Sequence, residues 1–127
     1  MSKYVLDASA VLALLNQETG YDKVEAVLAD SVMSAVNLCE VMGKLIDAGL
    51  SEEEARESID LLNIEIISFD IDQAHLAAAL RPTTKKLGLS LGDRSCLALG
   101  LAQSHTIVTA EREWAKLGVR IKIELIR

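Results

Sequence analysis

Apolar positions along the chain come in two alternating rhythms. KYVLD (3–7), SVMSA (31–35), IEIISF (64–69) and HTIVT (105–109) are short runs with the length and apolar content of strands. The segments between them read as helices. ASAVLALLN (8–16) is one, with Gly20 closing its turn region, and YDKVEAVLAD (21–30) is amphipathic, with Val24, Val27 and Leu28 on one face. A helix from about Val36 to Ala48 stops at Gly49. Ser51 and Glu54 form a capping box that opens the charged helix SEEEARESIDLLN. Asp70 with Gln73 caps IDQAHLAAAL, which Pro82 ends, and PTTKKLG (82–88) follows as a basic loop. SLGDRSCLALG (90–100) predicts a buried helix of small residues. A short helix at Glu111–Leu117 breaks at Gly118, and RIKIELI alternates as a final, half-exposed strand. Strands alternating with helices predict an α/β fold, a three-layer sandwich around a mostly parallel sheet. No repeat or linker interrupts the 127 residues, so 1–127 is expected to be one domain.

In such a fold, helix N-termini and strand C-termini share one edge of the sheet, where ligands bind. Asp7 ends the first strand, Glu40 lies in the second turn after the second strand, Asp93 in the first turn of its helix, and Glu111 two residues beyond the fourth strand. Each has a plain structural reading. Asp7 suits an N-cap. Glu40 falls on a polar stripe, Asn37–Glu40–Lys44–Asp47, and suits pairing with Lys44. Asp93 completes a capping box with Ser90, and Glu111 suits a helix's first turn. Their convergence is what those readings leave unexplained. Two carboxylates about 4 Å apart repel by about 4 kcal/mol at an effective dielectric near 20, so such a cluster calls for cations. Hard oxygen donors suit Mg²⁺ or Mn²⁺, which can activate water and stabilise a leaving oxygen in phosphodiester cleavage. His75 and His105 read as structural, and neither a Ser-His-Asp nor a Cys-His arrangement is supported.

Charge and composition narrow the partners. The net charge of −6 is unevenly spread: residues 1–80 hold four Lys/Arg against fifteen Asp/Glu, and residues 81–127 hold nine against four. Overall acidity argues against non-specific nucleic-acid binding, while the basic last third keeps a directed form of it open. Tyr4, Tyr21, Phe69 and Trp114 are the only aromatics, too few for base-stacking platforms. ASAVLALL (8–15) is too short to span a bilayer, and no basic region or cleavage site precedes it, so neither a membrane segment nor a secretory leader is expected. Cys39 and Cys96 fall in apolar helical pattern without metal-ligand spacing. Both read as buried free thiols, consistent with a reducing cytoplasm.

VLDASAVLALL (5–15), SAVNLCEV (34–41), SLGDRSCLALG (90–100) and IVTAEREW (107–114) together resemble, in order and spacing, the PIN-domain family, most closely the ribonuclease toxins of the VapBC toxin–antitoxin type. The resemblance covers essentially the whole chain. It implies an α/β/α sandwich and a Mg²⁺- or Mn²⁺-dependent endoribonuclease, homodimeric and neutralised by a cognate antitoxin. By position, Asp7, Glu40 and Asp93 match the central metal-site acids. Glu111 matches a fourth position that is more typically aspartate, and the longer side chain puts a second metal in doubt. Ser9 and Thr109 match polar positions supporting the metal site. Arg81, Lys85, Lys86 and Arg94 bracket the approach to Asp93 and are candidate RNA contacts, with a solvated loop, and for Arg94 a surface salt bridge, as the alternative.

Other classes fit less of the chain. A phosphoacceptor receiver module could use Asp70 and Thr109 but wants an acidic pair where Ala8 and Ser9 follow Asp7, and it leaves Glu40 and Asp93 unused. A haloacid-dehalogenase-type phosphatase needs a second aspartate where Ser9 stands. A PIN-fold binding protein, catalytically weak or inactive because Glu111 cannot complete the site, is the remaining alternative.

Overall fold

The computed structural model describes residues 3–127. Its elements run β1 (Tyr4–Leu6), α1 (Ala8–Asn16), α2 (Tyr21–Val27), β2 (Ser31–Ser34), α3 (Ala35–Asp47), α4 (Glu52–Asp60), β3 (Glu65–Ile67), α5 (Ile71–Ala79), α6 (Arg81–Thr84), α7 (Leu91–Gln103), β4 (Thr106–Thr109) and β5 (Ile123–Leu125). The five strands are ordered β3-β2-β1-β4-β5 and every pair is parallel. The chain steps outward from β1 to β3, crosses the sheet, and steps outward again from β4 to β5. The point where the order reverses therefore lies between β1 and β4, at the centre of the sheet.

Alternation within three-residue strands is enough to build both cores. Leu6, Met33 and Val108 face α1–α4 and pack with Val11, Val24, Val41, Leu45 and Ile59. Val5, Val32 and Ile107 face the other layer and pack with Leu80, Leu89, Cys96, Leu97, Leu99 and Trp114. With both faces covered, the central strand β1 carries continuous apolar sequence, as buried parallel strands do, while the edge strands β3 and β5 keep exposed Glu65 and Glu124. This is the α/β/α sandwich that the pattern predicted.

Several local expectations need correction. Residues 82–88 are not a loop: α6 spans Arg81–Thr84 and a 3-10 turn covers Lys85–Leu87. Pro82 sits in the first turn of α6, where its missing N–H is no loss, and α5 has already ended at Ala79. The helix expected over 21–30 is α-helical only to Val27 and finishes as a 3-10 turn, and only Ile123–Leu125 of the last apolar run pairs as a strand. Cys39 is exposed, on the outer face of α3, while Cys96 is buried. The Glu40–Lys44 pair is absent: the ion pairs among the described residues are Arg56–Glu52, Lys116–Glu113 and Arg127–Glu18.

Candidate metal centre at the sheet edge

Parallel strands deliver the acids to one edge. Asp7 immediately follows β1 and caps α1, its Oδ1 accepting from the Ala10 N–H at 2.8 Å. Thr109, the last residue of the neighbouring β4, donates to Asp7 Oδ2 at 2.6 Å. Ser9 Oγ lies 2.8 and 2.9 Å from the two Asp7 oxygens and accepts the Ala110 N–H at 2.9 Å. Thr109 Oγ1 in turn accepts the Glu111 N–H at 2.9 Å. Asp7, Ser9 and Thr109 thus close a ring across the point where the strand order reverses.

That ring does not make Asp7 comfortable as an anion. Its carboxylate is buried, and burial raises its pKa from 3.8 to about 6. The hydrogen bonds from Thr109, Ala10 and Ser9 pull the other way, and nearby Glu111 adds repulsion that pushes it up further. No cationic side chain among the described residues offsets the burial of this carboxylate.

The other acids come from the flanking helices. Asp93 sits in the first turn of α7, where Ser90 Oγ accepts the Asp93 N–H at 3.2 Å and Asp93 Oδ2 accepts the Ser90 N–H at 2.9 Å. The capping reading of Asp93 is therefore real, and it engages one carboxylate oxygen. Glu40 projects from α3 against the same turn: a Cβ built on Gly92 would overlap both Glu40 carboxylate oxygens. Cys96, one turn further into α7, is pushed up by burial first, and then by Asp7, Asp93 and Glu40 together. All three acids therefore act on the same thiol in α7. Glu111 is exposed on the rim.

Metal fit follows from the donor set. Among the described residues no three His, Cys, Asp or Glu side chains stand close enough to hold one ion jointly. Mg²⁺ does not require such a cage, since it is usually bound by one or two carboxylates with water filling the remaining positions. Asp7, and Glu40 and Asp93 at the contact of α3 with α7, offer hard oxygens of that kind, and the raised pKa of Asp7 is what an adjacent cation would relieve.

The predicted cations are less tightly placed. Arg81, Lys85 and Lys86 are exposed on α6 and the turn after it. Arg94 is half-buried and donates from its guanidinium to the Ala77 carbonyl at 3.1 Å, tying α7 to α5. Arg94 forms no salt bridge among the described residues. Sequence reasoning passed over Asn37 and Gly92, which touch Glu40. Asn37 appeared only as a member of a polar stripe. Its spacing of three residues before Glu40, on the same helix face, was the available signal.

A doubly wound α/β protein with a buried, hydroxyl-bound carboxylate where its strand order reverses is a restricted class. The PIN domain family profile matches residues 4–119, and the chain belongs to that family. The DNA-bound VapBC complex from Salmonella typhimurium contains a chain of the same fold, with TM-score 0.77, 18% identity and full coverage of both chains. A toxin–antitoxin complex from Klebsiella pneumoniae gives 0.75 at 21% identity over 98% of each chain. A VapBC-family toxin–antitoxin system from Mycobacterium tuberculosis gives 0.64 at 20% identity, covering 100% of this chain and 99% of that one. No curated protein matches the sequence.

Proposed function

We propose that this chain is a Mg²⁺- or Mn²⁺-dependent endoribonuclease and the toxin of a toxin–antitoxin pair. The observation that carries the reading is Asp7: a buried carboxylate at the reversal point of the sheet, oriented by Ser9 and Thr109 and held up by burial to a pKa of about 6. Family membership supports the class of chemistry, because PIN domains of this kind are generally nucleases that use divalent ions. A bound ion supplies positive charge that activates water and stabilises the leaving oxygen of an RNA phosphodiester. The chain's own part is to fix Asp7 through two hydroxyls and to present Glu40 and Asp93 opposite it. Glu111 lies at the rim, with its backbone N–H held by Thr109.

Arg81, Lys85, Lys86 and Arg94 are proposed contacts for RNA phosphates entering past α7. The acidic first 80 residues suit a basic segment of an antitoxin, and the similar folds seen inside VapBC complexes support such a partner. Exposed Leu61 and Ile71 are apolar surface of the kind that a partner or a second copy covers, in keeping with a homodimer. No helix among the described residues is long and apolar enough to cross a membrane. A cytoplasmic setting, where Cys39 and Cys96 stay reduced, completes the proposal.

The test is cleavage of RNA by the purified chain, freed of its partner, in Mn²⁺ or Mg²⁺. Cleavage should vanish with a chelator and in Asp7→Asn and Asp93→Asn. Activity that survives in both variants would sink the site. A second reading, a PIN-fold binding protein with weak or no catalysis, is favoured because no three acids among the described residues stand close enough to share an ion. Tight RNA binding without metal-dependent cleavage by the wild type would select it.

A further inference from the structure

Asn37 is 1% exposed, and it spends both amide hydrogens on particular acceptors. Its Nδ2 donates to Glu40 Oε1 at 2.8 Å and to the Gly92 carbonyl at 3.0 Å. Its Oδ1 is buried without a partner among the described residues. Burying an amide with one acceptor unsatisfied is unfavourable for stability, so packing alone does not account for an asparagine here. Gly92 completes the arrangement from the other side: without a side chain, it leaves the space that the Glu40 carboxylate occupies. Glu40 is therefore held between an amide on its own helix and the bare first turn of α7, one residue from Asp93.

The geometry points to Asn37 and Gly92 as positioning residues that hold the Glu40 carboxylate at the acid edge. Only a side chain with two N–H donors on one short stem can bond a carboxylate and the carbonyl of the facing helix together. Aspartate at position 37 would supply neither donor and would repel Glu40. The three atoms nearest a methyl group at position 92 all lie at the movable end of Glu40, so Gly92→Ala is expected to displace the carboxylate while the fold stays intact.

This inference rests on the ribonuclease reading for its catalytic consequence but not for its geometry, and the experiment separates the two. In the metal-free wild type, NMR should show the Asn37 side-chain amide protons protected from exchange, with that protection lost in Glu40→Ala. Protons that exchange freely in the wild type overturn the clamp outright. In calorimetry, Gly92→Ala and Asn37→Ala should weaken Mn²⁺ binding by roughly tenfold or more, the range typical of lost outer-shell support. Steady-state cleavage should show a matching fall in kcat with KM for RNA unchanged. Shortening the acid should partly relieve the crowding, so Glu40→Asp should reduce kcat less in the Gly92→Ala background than in the wild type. Single variants within twofold of wild type in both Mn²⁺ affinity and kcat would overturn the positioning role. A wild type that shows the protected amide yet neither binds Mn²⁺ nor cleaves RNA would instead support the clamp and reject the ribonuclease.

Discussion

Asp7 is worse placed as an anion in the folded chain than in water, and the sign of that effect can be measured. Its folded pKa is about 6 against an ordinary value of 3.8, so between those pH values the folded state binds more protons than the unfolded one. The favourable contribution is then full below pH 4 and lost as pH rises through 6, an amount of about 3 kcal/mol in the limit of complete burial. Asp7→Asn keeps an oxygen for the Ala10 N–H and removes the charge. In urea unfolding at pH 7.5 it should be more stable than the wild type by about 1–3 kcal/mol, with the gap closing toward pH 4. A variant equally destabilised at both pH values would contradict the burial argument. Asp93 separates its two roles differently. Asp93→Asn can still accept the Ser90 N–H, so it should cost less than about 1 kcal/mol while abolishing cleavage. Loss of stability with retained cleavage would leave Asp93 as a cap only. Asp7, Ser9, Asp93 and Thr109 were legible from the chain because each stands at a fixed offset from a strand end or helix start. Asn37 and Gly92 were not, because their role appears only once α3 and α7 lie side by side.

At the scale of elements, α7 explains why small residues were needed. Gly92, Ser95, Ala98 and Gly100 are all buried, so this helix is enclosed on most sides and has no single apolar stripe. At Gly100 a Cβ would overlap Ile107 Cδ1 and Ile121 Cδ1, which means the helix packs directly on β4 and on the segment leading into β5. Gly100→Ala should therefore destabilise by about 1–3 kcal/mol through overpacking, despite alanine's better helix propensity. Chemical denaturation checks this, and a stabilised variant would show that the two isoleucines move aside. The contrast with Gly92, where the obstacle is a flexible carboxylate, makes the pair informative: one substitution should harm the fold and the other the site. Element types were well legible for long periodic segments and poorly legible where one signal has two meanings. Pro82 was read as a stop but works as a start. Cys39 lay in apolar pattern yet faces outward, because α3 buries Asn37, Val41 and Leu45 and leaves the intervening face to solvent.

Across the whole molecule, strand order determines which side chains meet at the sheet edge. Adjacent parallel strands β1 and β4 set Asp7 beside Thr109, and the right-handed return over the opposite layer brings the start of α7 to the same edge. That topology was legible because alternating strands and helices allow few arrangements. The distances between acids were not, since a few ångströms of helix placement decide whether carboxylates share an ion. The resulting charge imbalance predicts a behaviour that requires no substrate. A divalent cation that binds the folded chain and not the unfolded one stabilises it by about 2.7 kcal/mol at a hundred times its Kd. For a chain of this size, that is a rise in melting temperature of roughly 8–14 °C at pH 7.5. Because Asp7 must lose its proton to take part, the rise should shrink as pH falls below about 6. Asp7→Asn should be more stable without metal and should gain little from Mn²⁺. Differential scanning fluorimetry with Mn²⁺, Mg²⁺ and a matched concentration of Na⁺ reads all three effects. An equal rise in wild type and Asp7→Asn would show that the cation does not bind through Asp7.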